Sequence, residues 1–171
     1  MPYTVLMPFY FGPGVAFKAL GGRYFSFIVF GLSQVAMEIE PLVRVFRGES
    51  IAHGFTGTYV GATLIGIVSV LVAKPLGEYS LRWWKEVLAL KEIPSEISWL
   101  AAVLGAMVGV NSHVFLESIM DAHMHPLAPF SDVNPLLGLI SAGKLVLLCL
   151  VLGVFGVVSI LVSNLRGKAP F

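Results

Sequence analysis

The segment FTGTYVGATLIGIVSVLVA, Phe55 to Ala73, decides the fold because it carries no charged residue over its whole length. A helix that crosses the apolar core of a bilayer needs about 20 mainly apolar residues. Lys74-Pro75 follows directly, and a proline inside a helix removes a backbone hydrogen bond. We therefore predict a transmembrane helix over residues 55–73.

The same criterion predicts three further spans, which lie on either side of this segment. Two of the remaining segments have a different composition. Met1–Leu20 is apolar but interrupted by prolines and glycines, so we expect an irregular or half-inserted segment packed against the bundle. Residues 78–97 contain Arg82-Trp83-Trp84-Lys85-Glu86, a composition typical of the headgroup region, and we predict an interfacial amphipathic stretch there. The three further spans are residues 24–46, 99–120 and 135–163.

The composition supports a single all-α membrane domain, a bundle of about four transmembrane helices over residues 1–171. Of the 171 residues, 57% are apolar and 12% are charged, where soluble domains carry about 25% charged residues. One cysteine, Cys149, excludes a disulfide framework, and a net charge of +1 argues against a nucleic-acid partner. The partner that the composition predicts is the lipid bilayer.

The basic residues predict the orientation. With four spans, both termini and the loop between the second and third spans share one side, which carries eight lysines and arginines. The opposite connections carry two, Arg44 and Arg47. The positive-inside rule then places both termini in the cytoplasm.

Most of the remaining ionisable residues fall at the predicted non-cytoplasmic face. Ionisable groups near membrane depth are costly and are candidates for function. The set comprises Glu38, Glu40, His53, His113, Glu117, Asp121, His123, His125 and Asp132.

His113 and Glu117 are the strongest candidates within that set. They are four residues apart on a predicted helix, so their side chains share one face and can ligate one ion. A hydrogen bond between the two, buried between helices, explains the spacing equally well. Zn²⁺ would prefer the imidazoles and Mg²⁺ or Mn²⁺ the carboxylates, and the sequence leaves this choice open.

Four motifs occur in order along the chain, namely Pro8-Phe-Tyr-Phe-Gly-Pro-Gly14, Glu38-Ile-Glu-Pro41, His53-Gly-Phe-Thr-Gly-Thr-Tyr59, and His113-Val-Phe-Leu-Glu117 followed by Pro129-Phe130-Ser131. Together they resemble the YdjM-like family of small inner-membrane proteins described as metal-dependent hydrolases. The resemblance covers residues 1 to about 143, and the last motif is its most specific part. The resemblance implies a bundle of about four helices in a bacterial inner (plasma) membrane, with a metal centre near its polar end.

The resemblance carries over only in part. Tyr10 and Gly57 stand where the family usually has histidine, and Glu38 and Glu117 stand where it usually has aspartate. Because ligand distances in a metal site are held to a few tenths of an ångström, such changes are also what a lineage that has lost catalysis would show.

Two functions therefore remain open. In the first, Glu38, His53, His113 and Glu117 hold a divalent ion for hydrolysis of a lipid-linked or phosphate ester, with Asp121 or His123 as the proton carrier. In the second, the chain is a catalytically inactive accessory subunit that packs against other membrane subunits. Transport is a third and weaker alternative.

The topology predicts how a metal centre would be assembled. Glu38 from the end of the first span and His53 from the start of the second would approach His113 and Glu117 on the third. We expect these four side chains within reach of one ion, with Lys144 outside. A gap at Gly57 would be filled by water or by an aromatic ring such as that of Tyr10.

Overall fold

The computed structural model describes residues 10–49, 54–88 and 95–166, and these residues form helices and turns without any strand. Three helices are long and apolar enough to cross a membrane, namely α4, α5 and α6. The all-α membrane fold predicted from the sequence is confirmed, and the described residues contain three full-length spans where about four were expected. The helices are α1 (Phe11–Gly21), α2 (Phe27–Met37), α3 (Ile39–Phe46), α4 (Tyr59–Val87), α5 (Trp99–Met120) and α6 (Ala142–Leu165).

Helices α2, α4 and α5 form the centre of the bundle. Helix α2 runs parallel to α5, from Ser26, whose amide donates to the Ala101 carbonyl, up to Gln34, whose amide donates to the Gly109 carbonyl. Helix α4 runs antiparallel to both. We call the end at which α5 terminates the His113 end, and the opposite end the Trp99 end.

Glycines on α5 allow α2 to approach closely. A Cβ atom on Gly105 would collide with the Ser26 carbonyl oxygen, and one on Gly109 would collide with the Ser33 hydroxyl. Small residues spaced four apart have this role in membrane helices.

Helix α1 is regular where the sequence predicts an irregular segment, although it does pack against the bundle as expected. Pro13 lies in the first turn, where a missing N–H costs nothing. Gly12 lies against the Cys149 backbone of α6, with no room for a side chain. The helix-breaking residues of this segment therefore serve packing between α1 and α6. Residues 1–9 lie outside the described part of the chain.

The first predicted span, residues 24–46, is divided. Helices α2 and α3 meet at Glu38, with a break between Met37 and Ile39. Pro41 explains the break, because its ring cannot donate to the Met37 carbonyl and clashes with it. At 11 residues, α2 is roughly 16 Å long, about half of the 30 Å apolar core.

Helix α4 continues through Lys74-Pro75, where the sequence predicts its end, and it includes residues 78–87 of the predicted interfacial stretch. An ion pair of 2.6 Å between Lys74 and Glu78 spans the proline turn, and Glu78 also accepts the Ile97 amide. Trp83 and Trp84 lie half exposed in the last turn. At 29 residues the helix is roughly 43 Å long, so this turn reaches beyond the apolar core.

The last predicted span, 135–163, begins later, because α6 starts at Ala142. The preceding residues form a turn-rich segment fixed to α5 by Asn134, whose amide donates to the Ser118 carbonyl, and by the Gly138 amide, which donates to Ile119. Helix α6 packs mainly on α1.

The described basic side chains lie at both ends of the bundle. Lys18, Lys74, Arg82 and Arg166 belong to the Trp99 end, whereas Arg44 and Arg47 follow the break at Glu38. Helix α1 begins at the His113 end and α6 finishes at the other. The shared side of the two termini stays a prediction, because residues 1–9 and 167–171 lie outside the described part of the chain.

Candidate metal centre

Helix α5 carries His113 and Glu117 one turn apart, both facing the interior of the bundle. Each is about 1% exposed. His113 lies seven residues before the end of α5, roughly 10 Å along the helix axis. The i,i+4 geometry predicted from the sequence is therefore present, inside the bundle and near its polar end.

Glu38 joins this pair from the break between α2 and α3. Its Oε1 atom lies 3.8 Å from His113 Nε2, and Glu117 Oε2 lies 3.3 Å from the same nitrogen. One potential ligand atom from each of the three residues lies within 4.8 Å of the other two. A group of this size and donor type can hold a metal ion.

Gln34 orients the imidazole. Its amide nitrogen donates to the Gly109 carbonyl at 3.2 Å, so its Oε1 faces His113 and accepts from Nδ1 at 2.7 Å. With Nδ1 as the donor in this hydrogen bond, a neutral ring would present an unprotonated Nε2 to the two carboxylates, and a protonated ring would donate to one of them from Nε2. Outer hydrogen bonds orient metal-ligating histidines in the same way.

When His113 is neutral with its proton on Nδ1 and both carboxyl groups are ionised, the three facing atoms are all acceptors. Two carboxylates beside an imidazole lone pair repel one another, and a buried ionised carboxylate is costly unless a cation or a proton compensates it. Nε2 makes no hydrogen bond to the described residues. A metal ion or a proton between the three side chains would relieve this repulsion.

The Tyr10 ring closes the centre on the side of α1. It meets the His113 ring edge-on with 5.6 Å between centroids, and it is 2% exposed. The sequence predicts that water or an aromatic ring such as that of Tyr10 fills a gap at Gly57. That the Tyr10 ring fills this gap stays a prediction.

The predicted proton carriers lie farther out. Asp121 follows the last turn of α5 and accepts both the backbone amide and Nδ1 of His123, at 2.8 and 3.0 Å. The His123 side chain is 66% exposed. His125 is also exposed and donates to the Asp132 carbonyl. These groups form a solvent-facing cluster rather than part of the buried triad.

Two other predicted positions complete the comparison. His53, the predicted fourth ligand, lies outside the described residues, so its approach to His113 stays a prediction. Lys144 is exposed at the start of α6 and does not belong to the triad.

Glu40 faces away from the centre although it is only two residues from Glu38. It accepts from Arg44 Nε and from the Thr56 amide, both at 2.8 Å. Burial alone would raise the pKa of Glu40, but the hydrogen bonds from Thr56 and Arg44 outweigh it and hold this pKa below its usual value.

Gln34 is the residue that the sequence reasoning missed. It is an amide within an otherwise apolar helix and lies one turn before Glu38, on the same face. A polar side chain in such a place needs a partner within the bundle, and that signal could have identified it.

The chain matches no family model, no curated protein and no solved structure in the comparisons made with each.

Proposed function

We propose that this protein is a membrane-embedded, divalent-metal-dependent hydrolase whose ion is held by Glu38, His113 and Glu117. The observation that carries the proposal is His113 Nε2, which the contact between Nδ1 and Gln34 turns towards the carboxylates of Glu38 and Glu117. A neutral His113 with its proton on Nδ1 would offer Nε2 to an ion, whereas a protonated His113 would donate from Nε2 to a carboxylate.

The donor set favours Zn²⁺ or Mn²⁺ over Mg²⁺. Imidazole suits zinc and other transition metals, carboxylate suits manganese and magnesium, and Mg²⁺ usually keeps several water ligands. A site with one imidazole, two carboxylates and little exposure fits a partly dehydrated transition metal. His53 is the proposed fourth ligand.

Three or four protein ligands leave room for a water molecule, whose pKa a bound divalent ion lowers towards neutrality. In this proposal, Glu38, His113 and Glu117 position the ion, while Tyr10 and the surrounding helices limit access of bulk water. Asp121 and His123, which are hydrogen-bonded to each other at the solvent-facing end, are the proposed proton carriers. The proposed substrate class is a lipid-linked or phosphate ester that reaches the His113 end.

The family resemblance supports the same assignment. Tyr10, Glu38 and the His113–Glu117 pair belong to three separate YdjM-like motifs, and the first two residues both lie next to the His113 side chain. We propose on this basis a bacterial inner-membrane location. We further propose the Trp99 end as the cytoplasmic end, because it carries most of the described basic residues. A C-terminal fluorescent fusion should be active and a periplasmic phosphatase fusion inactive; the reverse would contradict this orientation.

The metal assignment is tested by element analysis of the purified protein and by titration of the chelated protein with Zn²⁺ and Mn²⁺. We expect one ion per chain, and loss of that ion in His113→Asn and Glu117→Gln. His125→Asn is the matched control, since it removes an exposed imidazole outside the triad. A wild-type protein that binds neither ion, or variants that bind as the wild type does, would refute the metal centre.

Hydrolysis is tested separately with a soluble aryl phosphate ester and with a phospholipid. Activity should disappear on chelation, return when Zn²⁺ or Mn²⁺ is added, and stay absent in His113→Asn. A metal-loaded protein inactive on both ester types would remove the hydrolase assignment while leaving the metal centre.

A second function, that of a catalytically inactive accessory subunit, is favoured by one observation. Tyr10 and Gly57 replace imidazoles at two positions of the family pattern. Solubilisation of native membranes in a mild detergent, followed by size analysis, separates the alternatives. A particle of monomer size would argue against the subunit proposal.

A further inference from the structure

A groove of about 580 Å³ lies between α3 and α4, on the outer side of the bundle. Ile39 and Val43 of α3 form one wall, and Leu64 and Val68 of α4 form the other. We call it the α3–α4 groove. Its size falls within the range of roughly 300–1,000 Å³ that is typical of small-ligand sites.

The groove extends from a charged mouth into the apolar depth of the membrane. Arg44, Arg47 and Glu49 line the mouth, beyond the start of α4, where Thr56 also contributes. Ser69 lines the deep end and lies ten residues into α4, roughly 15 Å along the helix. A ligand in this groove would thus have a polar end near the headgroups and an apolar end among the acyl chains.

Helix α3 has the character of an interfacial helix. Its apolar residues Ile39, Leu42 and Phe46 are 59%, 50% and 82% exposed, while Glu40 and Arg44 are paired on the other side. A short amphipathic helix of this kind lies at the boundary between headgroups and acyl chains. The mouth of the groove is therefore at headgroup level.

One cation at the mouth remains available. Arg44 is neutralised by Glu40 at 2.8 Å and by Glu49 at 2.9 Å. Arg47 lines the same mouth, is exposed, and has no ion pair among the described residues. A guanidinium group is well suited to bidentate contact with a phosphate.

We propose that the α3–α4 groove binds one glycerophospholipid of the bilayer. The lipid phosphate contacts Arg47, and one acyl chain lies between Val43 and the Leu64–Val68 face of α4. The Arg47 charge lies at headgroup depth beside the apolar part of the α3–α4 groove, and this arrangement suits an amphiphilic lipid. A partner helix would present no phosphate to Arg47. Lipid binding here does not depend on the metal centre. Glu38 and Glu40, the residues directly before and after Ile39, connect the two sites along the chain.

The test is native mass spectrometry of the full chain in a mild detergent, titrated with dioleoyl phosphatidylglycerol. We expect the first lipid molecule to bind more tightly than any further molecules of the same lipid. Arg47→Gln should weaken that binding about tenfold, because it removes a charge-assisted hydrogen bond. Leu64→Trp, which fills the apolar part of the α3–α4 groove, should weaken lipid binding by about the same factor.

The controls are matched for chemistry and exposure. Arg82→Gln removes an exposed arginine at the Trp99 end, and Leu150→Trp enlarges a similarly exposed leucine on α6 (54%, against 50% for Leu64). Both should retain the wild-type affinity, and circular dichroism should show unchanged helix content in all four variants. Wild-type affinity in Arg47→Gln or in Leu64→Trp would overturn the proposal, as would equal losses in the controls.

A further variant separates this proposal from the metal centre. His113→Asn should lose the metal ion and keep the lipid, whereas Arg47→Gln should keep the ion and lose the lipid. Loss of the lipid in His113→Asn at unchanged helix content would contradict the independence of the two sites.

Discussion

His113 Nδ1 donates a hydrogen bond of 2.7 Å to Gln34 Oε1, across the contact between α5 and α2. The Gln34 amide nitrogen is in turn committed to the Gly109 carbonyl and to Ser112, so the amide cannot reverse without losing both contacts. This relationship connects a helix-packing contact to the chemistry of the triad. It also gives Gln34 a positioning role that is open to test.

Replacing Gln34 with methionine keeps the length of the side chain and removes the acceptor for Nδ1. We expect metal affinity to fall by about 10–100-fold, the usual cost of losing an outer hydrogen bond to a ligating histidine. Titration with Zn²⁺ at several pH values measures the metal affinity. The dependence of that affinity on pH should also differ from that of the wild type. Ser33→Ala, its neighbour on α2, is the control and should bind the ion normally; equal losses in both variants would indicate a packing effect.

Gly105→Ala should separate α2 from α5. The new Cβ would meet the Ser26 carbonyl oxygen, a backbone atom that cannot turn aside, and we expect a loss of about 1–3 kcal/mol in the free energy of unfolding. Gly143→Ala in α6 is the control, because its Cβ enters open space. Thermal unfolding in detergent compares the two, and an unchanged transition in Gly105→Ala would contradict the close helix contact.

Lys74 and Glu78 should be energetically coupled. Their side chains are 15% and 14% exposed, and Lys74 also lies 4.8 Å from the centre of the Trp99 ring. Removing one partner leaves a largely buried charge uncompensated. In a double-mutant cycle, Lys74→Met and Glu78→Gln should each destabilise the protein, and together by less than the sum. Additive losses in the measured unfolding free energy would show that the pair does not support α4 across Pro75.

Glu40 should contribute a pH-dependent part of the stability. Hydrogen bonds from Thr56 and Arg44 hold its pKa in the folded protein below the unfolded value of about 4.3. The stabilisation is therefore complete above the unfolded pKa and is lost as the pH falls through the folded pKa. The difference in unfolding temperature between the wild type and Glu40→Gln should be constant near pH 7 and shrink in acid. A difference that does not change with pH would contradict this assignment.

The order of the sequence was enough to predict the membrane class and the His113–Glu117 pair. Both follow from local properties: hydropathy over about 20 residues, and the 3.6-residue period that places i and i+4 on one face. Residues 99–120 are helical with the predicted bounds, because Ser98 caps Ala101 and no proline interrupts the run.

The exceptions arise where a distant partner outweighs the local signal. Pro75 predicts a helix end, yet α4 continues because Glu78 pairs with Lys74 and accepts a hydrogen bond from the Ile97 amide. Gly12 and Pro13 predict an irregular segment, yet they form the start of α1. The α6 backbone packs so closely there that a side chain at Gly12 has no room. Neither partner can be identified from the local residues.

Sequence alone thus determined that this chain lies in a membrane and that His113 and Glu117 share a helical face, since hydropathy and helical period are properties of neighbouring residues. Only the tertiary structure decided which residues join them. The break before Pro41 turns Glu38 inward and Glu40 outward, and the close approach of α2 to Gly105 and Gly109 brings Gln34 to His113. These contacts join positions up to 79 residues apart in the chain, and they depend on helix packing, which local patterns do not encode.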